Sequence, residues 1–304
     1  MSDNSIYNLH GIVPPLITPL TEQLTLDTDA LSQLLTHVIE GGVHGIFVLG
    51  TTGEAPSLPE RTRIALLEQV SQEVESRIPW LVGITDSCLA NAVEWAKKAE
   101  QLGATAVVAA PPFYYPASQT SLYDFFHELS EESPLPLFLY NIPSHTRNFL
   151  DQDTVLSLLK LPNVVGYKDS TGDLMHFHRL QMAREDLEKS YWVGPEELLL
   201  ETVLLGAQGG VNGGANLFPN LYVRLYDAAR KRHFEKAKAL HQQVMQISHH
   251  LYQNGKSVIS GIKFGLAERG IGTGVVAPPL ANLSEDEKQK MRIFLKEIEE
   301  TITP

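Results

Sequence analysis

From residue 11 to about residue 230, short apolar runs alternate with longer segments whose apolar positions recur at helical spacing. The short runs are GIVPPLI (11–17), HGIFVLG (44–50), WLVGIT (80–85), AVVAAP (106–111), PLFLY (136–140), NVVGYK (163–168), YWVG (191–194) and GGVNGG (209–214). They are apolar throughout rather than alternating, the pattern of parallel strands covered on both faces. Between them, DTDALSQLLTHVIEGG, LPERTRIALLEQVSQEV and LANAVEWAKKAEQLG predict helices. The first and third end on Gly41 and Gly103, where a left-handed C-cap belongs, and Pro59 stands near the first turn of the second. Eight βα units at roughly 25–30-residue spacing predict a (β/α)8, or TIM, barrel. An open doubly wound sheet fits less well: it usually has fewer strands, and no G-x-G-x-x-G follows the first run. Residues 232–304 contain no strand run and predict three helices, FEKAKALHQQVMQISHHLYQ, SVISGIKFGLAERG and SEDEKQKMRIFLKEIEETI. The expected organisation is a barrel over 1–231 with a C-terminal helical extension over 232–304.

Composition narrows the partners. The 304 residues are 43% hydrophobic and 20% charged, ordinary for a globular chain. The formal charge of −12, with scattered lysines and arginines, argues against nucleic acid or an anionic membrane surface, which need a basic face. Cys88 is the single cysteine, so an intramolecular disulfide and a multi-cysteine metal site are excluded. Its flank reads as a helix start, where it is expected to pack as a small inert apolar residue. The N-terminus lacks a basic segment followed by an apolar run, and no apolar stretch reaches the roughly 20 residues of a membrane span. A cytoplasmic protein is the expectation.

In such a barrel the chemistry lies at the C-terminal ends of the strands. That rule selects Thr51 and Thr52, Tyr114, Tyr140, Lys168, Glu197 and Asn212 to Gly214. No His/Asp/Glu cluster has metal-ligand spacing, so amine chemistry fits better than metal hydrolysis. Lys168 ends NVVGYK, either as a lysine reaching for solvent or as an amine whose pKa is lowered in a low-dielectric barrel mouth. In LGTTGEAPSL (49–58), Gly50 and Gly53 bracket two hydroxyls in a turn able to present donors to a carboxylate, or forming only a turn and helix cap. Tyr140, in LYNIPSHT (139–146), is either a core tyrosine or a proton shuttle, and PPFYYPASQ (111–119) could be mere packing.

Together, GIVPPLITPL, GTTGEAPSL, PPFYYP, YNIPSHT, VVGYKDSTGD and GGVNGGAN resemble, in order and spacing, one family across nearly the whole chain. It is the superfamily of pyruvate-dependent class I aldolases that holds dihydrodipicolinate synthase and N-acetylneuraminate lyase. The resemblance implies a TIM barrel with a helical C-terminal extension, usually a homotetramer built as a pair of dimers. It implies Lys168 as the Schiff-base lysine and Tyr140 as the proton shuttle on the substrate's oxygen. Thr51 and Thr52 match the hydroxyl pair that holds the keto acid's carboxylate, with Thr51 also relaying protons. Tyr114 matches the tyrosine inserted into a neighbouring subunit's site, and Val211 the position packed near the bound keto acid. No cofactor is implied beyond the covalent Schiff base, and no metal; the partners are pyruvate and an aldehyde.

The chain also departs from the synthases. Their motif reads Y-N-x-P-S-R-T, with the arginine gripping the carboxylate of aspartate semialdehyde, whereas this chain has His145 there. A mostly neutral imidazole offers neither permanent charge nor a bidentate fork, and Arg147 lies two residues on. Ser170 in KDSTGD stands where sialate lyases carry a hydroxylated residue, and Glu197 in GPEEL where they carry a carboxylate that binds the glycerol chain. Glu196 and Glu197 could equally be first-turn acids complementing a helix dipole. GGANLFP (213–219) is expected to leave an open small-residue wall. The leading expectation is reversible cleavage of a hydroxylated 2-keto acid, of the 2-keto-3-deoxy sugar acid or N-acetylneuraminate type, to pyruvate and an aldehyde. The runner-up is dihydrodipicolinate synthesis, and a non-catalytic sugar-acid sensor is the alternative outside enzymology.

Overall fold

The computed structural model describes residues 9–75, 77–183, 188–252 and 257–302. Each apolar run becomes one parallel strand: β1 (Gly11–Ile12), β2 (Ile46–Val48), β3 (Trp80–Gly83), β4 (Ala106–Ala109), β5 (Leu137–Asn141), β6 (Val164–Asp169), β7 (Ser190–Val193) and β8 (Gly209–Gly210). The sheet runs β1-β8-β7-β6-β5-β4-β3-β2. It closes between β1 and β2, where Leu16 N–H donates to Phe47 O at 2.8 Å and Phe47 N–H to Pro14 O at 3.0 Å. The architecture is the expected TIM barrel.

The helices are α1 (Thr28–Glu40), α2 (Glu60–Val74), α3 (Leu89–Gln101), α4 (Gln119–Glu132), α5 (Pro143–Thr146), α6 (Gln152–Leu159), α7 (Leu174–Ala183), α8 (Leu199–Leu204) and α9 (Pro219–Arg230). They are followed by α10 (Phe234–Tyr252), α11 (Val258–Ala267) and α12 (Glu285–Thr301). Their ends follow capping chemistry: Asp27 accepts from Ala30 N–H at 3.0 Å to start α1, and Ser284 with Glu287 forms a capping box for α12. Gln253, expected within the helix that became α10, lies outside the described residues.

Two apolar layers result. Leu137 and Leu139 of β5 face the surrounding helices, whereas Phe138 and Tyr140 face the barrel axis with Phe47, Val108, Trp192 and Val211. Phe138 stacks on Trp192, centroids 4.4 Å apart and planes 9° from parallel. Along β6 the pairing with β5 slips at Leu137/Phe138, so that Leu137 faces Val164 and Phe138 faces Gly166. Val165 is therefore an extra residue, a bulge that resets the alternation. Gly166 is required beside it, because a Cβ there would sit 2.2 Å from the Phe138 ring.

Two local expectations are corrected. Gly41 is right-handed, at φ −67°, because its N–H still bonds His37 O; the left-handed residue is Gly42, at φ +84°. Gly41 is needed for closeness instead, since a Cβ would lie 2.3 Å from the Pro219 side chain. Cys88 is exposed rather than packed. It is the N-cap of α3, and an N-cap side chain stands outside the first helical turn.

Candidate active site

The β6 bulge brings Lys168 level with Tyr140 of β5 and Trp192 of β7. Lys168 is only 4% exposed, so it is no strand-end lysine reaching for water. Its Nζ lies 3.8 Å from the centroid of the Tyr140 ring and 5.0 Å from that of Phe47. Burial lowers its pKa below the ordinary 10.5, opposed in part by Tyr140, and a desolvated amine is closer to its nucleophilic neutral form. Thr51 Oγ1, in the turn after β2, lies 3.5 Å from the Tyr140 hydroxyl, a loose contact.

A cavity of about 340 Å³ opens above Lys168. Thr51, Thr52, Tyr140, His145, Ser170, Glu197 and Val211 line it with Lys168, and Gly213 joins them, whereas Tyr114, Asn212 and Gly214 do not. An apolar cavity of about 230 Å³ adjoins it, sharing Thr51, Tyr140, Ile142 and His145 and lined further by Phe47, Ala110 and Phe113. Tyr114 lines neither. It is 83% exposed, at φ +97°, with its ring edge-on to Tyr115 at 4.9 Å. A non-glycine residue in that backbone region is strained.

His145 hydrogen-bonds Ser144 Oγ through Nδ1 at 3.0 Å. Burial lowers its pKa, with the nearby Lys168 charge adding to the effect, so the imidazole is neutral at pH 7. Arg147 is exposed and lines neither cavity. Among the described residues, no arginine lines the cavity that holds Lys168.

The two glutamates after β7 separate. Glu197 lines the cavity, its Oε1 taking a hydrogen bond from Ser248 of α10. Glu196 turns away, fully buried, and accepts the Gly214 N–H at 2.8 Å. Burial pushes its pKa up to about 7. The expected open wall at 213–219 is corrected: Gly214, Ala215 and Asn216 are buried, only Gly213 lines the cavity, and a Cβ on Gly214 would lie 2.0 Å from the Tyr222 hydroxyl.

Several residues of the site had no local signal. Tyr252, Ser257, Val258 and Ile259 of the C-terminal segment line the same cavity as Lys168. The Tyr252 hydroxyl would stand 3.8 Å from a Cβ on Gly213; burial, then Glu196, Glu197 and Tyr140, push its pKa well above 10.0. Behind β6, Tyr167 donates to Asp169 Oδ2 at 2.9 Å, Asn141 Nδ2 donates to the Tyr167 hydroxyl at 3.0 Å, and Asn141 Oδ1 accepts from Leu150 N–H at 3.1 Å. This network holds the strand ends that carry Tyr140 and Lys168. Among the described residues, no three His, Cys, Asp or Glu side chains are grouped to hold a metal ion, and no helix is long and apolar enough to cross a membrane.

A buried lysine at the end of a barrel strand, ringed by hydroxyls, defines a class, and comparison with known proteins agrees. The model of the dihydrodipicolinate synthetase family matches residues 8–298. The 4-hydroxy-tetrahydrodipicolinate synthase of Pseudomonas putida is 31% identical over 94% of this chain and 97% of its own. The solved dihydrodipicolinate synthase of Bacteroides thetaiotaomicron is 42% identical, covering 95% of this chain and 98% of that one, with a TM-score of 0.91. A prophage protein of the same family from E. coli K12, solved with pyruvate, is 29% identical over 95% of this chain and 98% of its own, with a TM-score of 0.90. The chain belongs to the dihydrodipicolinate synthetase family. Within it, this is an enzyme, a lyase of the class I aldolase type.

Proposed function

We propose that this enzyme reversibly cleaves a hydroxylated 2-keto acid, of the 2-keto-3-deoxy sugar acid or N-acetylneuraminate type, to pyruvate and an aldehyde. The observation that carries the reading is a solvent-stripped Lys168 in a cavity also lined by Glu197 and Ser170, with no arginine among the described residues that line it. The neutral Lys168 amine attacks the C2 carbonyl, and loss of water leaves an iminium. Thr51 and Thr52 hold the carboxylate, and Val211 packs beside it. Tyr140, relayed through Thr51, takes the proton of the C4 hydroxyl. The C3–C4 bond then breaks, its electron pair enters the iminium to give an enamine, and the aldehyde departs. Protonation at C3 and hydrolysis release pyruvate and free Lys168. Glu197 and Ser170 accept and donate hydrogen bonds to the hydroxyls of the chain. Tyr114 completes the relay in a neighbouring copy, within a cytoplasmic homotetramer. The reaction needs no metal and no cofactor beyond the lysine itself.

A second reading is condensation of pyruvate with aspartate semialdehyde, favoured by the likeness to the synthases of Pseudomonas putida and Bacteroides thetaiotaomicron. His145, neutral at pH 7, is the argument against it, since a second carboxylate would find no fixed positive charge. The test is intact mass after incubation with pyruvate and borohydride, on wild type and Lys168→Ala, followed by turnover with sugar-derived keto acids and with aspartate semialdehyde. A reduced adduct on wild type alone, with pyruvate release from a keto-deoxy sugar acid, is the expected result. Efficient turnover of aspartate semialdehyde instead would reverse the order of the two readings, and no adduct would refute both.

A further inference from the structure

Glu54 follows the two threonines by two residues, yet its side chain points into the protein. It is 2% exposed and forms an ion pair with Lys263 of α11, 3% exposed. Burying two charges is costly, and such pairs are weak contributors to stability; their best-attested use is to specify one arrangement over others. Here the arrangement is that of the turn. Glu54 itself is left-handed, at φ +59°, and its N–H donates to Thr51 O at 3.0 Å. Its Oε2 accepts the Ala277 N–H at 2.6 Å, and Lys263 Nζ donates to Val275 O at 2.9 Å. On the other side, Thr18 Oγ1 donates to Gly53 O at 2.7 Å. The turn carrying Thr51 and Thr52 is therefore clamped to the segment that follows α11, while the first turn of that helix, Val258 and Ile259, walls the cavity.

We propose that Glu54 and Lys263 are positioning residues for the keto acid's carboxylate, through which the C-terminal extension fixes the Thr51–Thr52 turn. The inference rests on the reading of those threonines as the carboxylate's holders. A clamp of this kind sets geometry rather than chemistry. Loosening it weakens binding of the keto acid in ground and transition states alike, which raises half-saturation and leaves the saturated rate in place.

The test uses Lys263→Met, Glu54→Gln and the double variant in the full-length protein. The double variant removes both charges together, so it leaves no unpaired ion in the interior and keeps the fold within reach if a single variant fails. Two quantities are read: hydrogen exchange of residues 50–57, and the pyruvate concentration giving half-maximal borohydride-trapped adduct. The expected result is faster exchange confined to that turn. Half-saturation should rise roughly 10- to 100-fold, the scale at which small misplacements act, with the trapping rate at saturating pyruvate little changed. In the double variant the unfolding midpoint should recover while half-saturation stays high, a split that a purely stabilising role would not produce. Wild-type half-saturation in the folded variants, or unchanged exchange at 50–57, would overturn the proposal. Failure of the wild type to trap pyruvate would instead sink the Schiff-base reading, and exchange alone would then confirm or refute that the pair fixes the turn.

Discussion

Replacing Glu196 by glutamine removes a carboxyl that the fold keeps wholly out of water while retaining an oxygen for the Gly214 N–H. Burial raises the native pKa to about 7 from an ordinary 4.5. At 1.36 kcal/mol per pH unit, that gap is worth about 3 kcal/mol. The folded value is the higher one, so the folded protein holds the proton after the unfolded chain has released it. The contribution of Glu196 is therefore fully present below pH 4.5 and is lost as pH rises through about 7. Glutamine has no proton to lose. Relative to wild type, Glu196→Gln should thus gain about 3 kcal/mol of stability between about pH 5 and pH 8. Urea unfolding of both proteins at several pH values across that range measures it. A constant offset between the two curves would refute the reasoning, because a carboxyl ionised equally in both states links no proton to folding.

Two further outcomes follow from the site. Tyr140→Phe keeps the ring beneath Lys168 but deletes the hydroxyl near Thr51; steady-state cleavage should fall by roughly 10²- to 10⁴-fold, the scale of lost general acid–base catalysis, and near-wild-type turnover would remove Tyr140 from the proton path. Lys168→Met should be more stable than wild type at pH 7, because burial depresses the lysine's folded pKa below 10.5. For a lysine so depressed, stability grows as pH rises from the folded value towards 10.5, so the variant's advantage should shrink over that range. Chemical denaturation at pH 7 and pH 10 checks this, and a variant less stable at neutral pH would contradict the desolvation argument.

Much of this was legible in local pattern. Strands buried on both faces must be apolar at every position, so all eight runs could be read directly, and the barrel rule then pointed to Lys168, Tyr140 and the two threonines. Pro59 and the flank of Cys88 marked the starts of α2 and α3, but neighbours decided the finer points. Gly41 kept a right-handed backbone because its N–H still bonds His37 O, and it met Pro219, 178 positions away, too closely for a Cβ. Cys88 faced solvent because it fell at a cap.

The sequence by itself determined the number and order of the strands and the chemical types at their C-terminal ends, because alternation of apolar runs and helical periods depends only on neighbours a few residues apart. Tertiary structure decided which way those types face. An extra residue at Val165 turned Lys168 inward beside Tyr140. Packing against Gly214 took Glu196 out of the cavity and left Glu197 in it. Packing of the C-terminal helices brought Lys263 onto Glu54 and Tyr252 into the lining of the Lys168 cavity. Whether a charged side chain is buried, paired or presented to a substrate depends on what the whole chain places against it, and no local pattern contains that information.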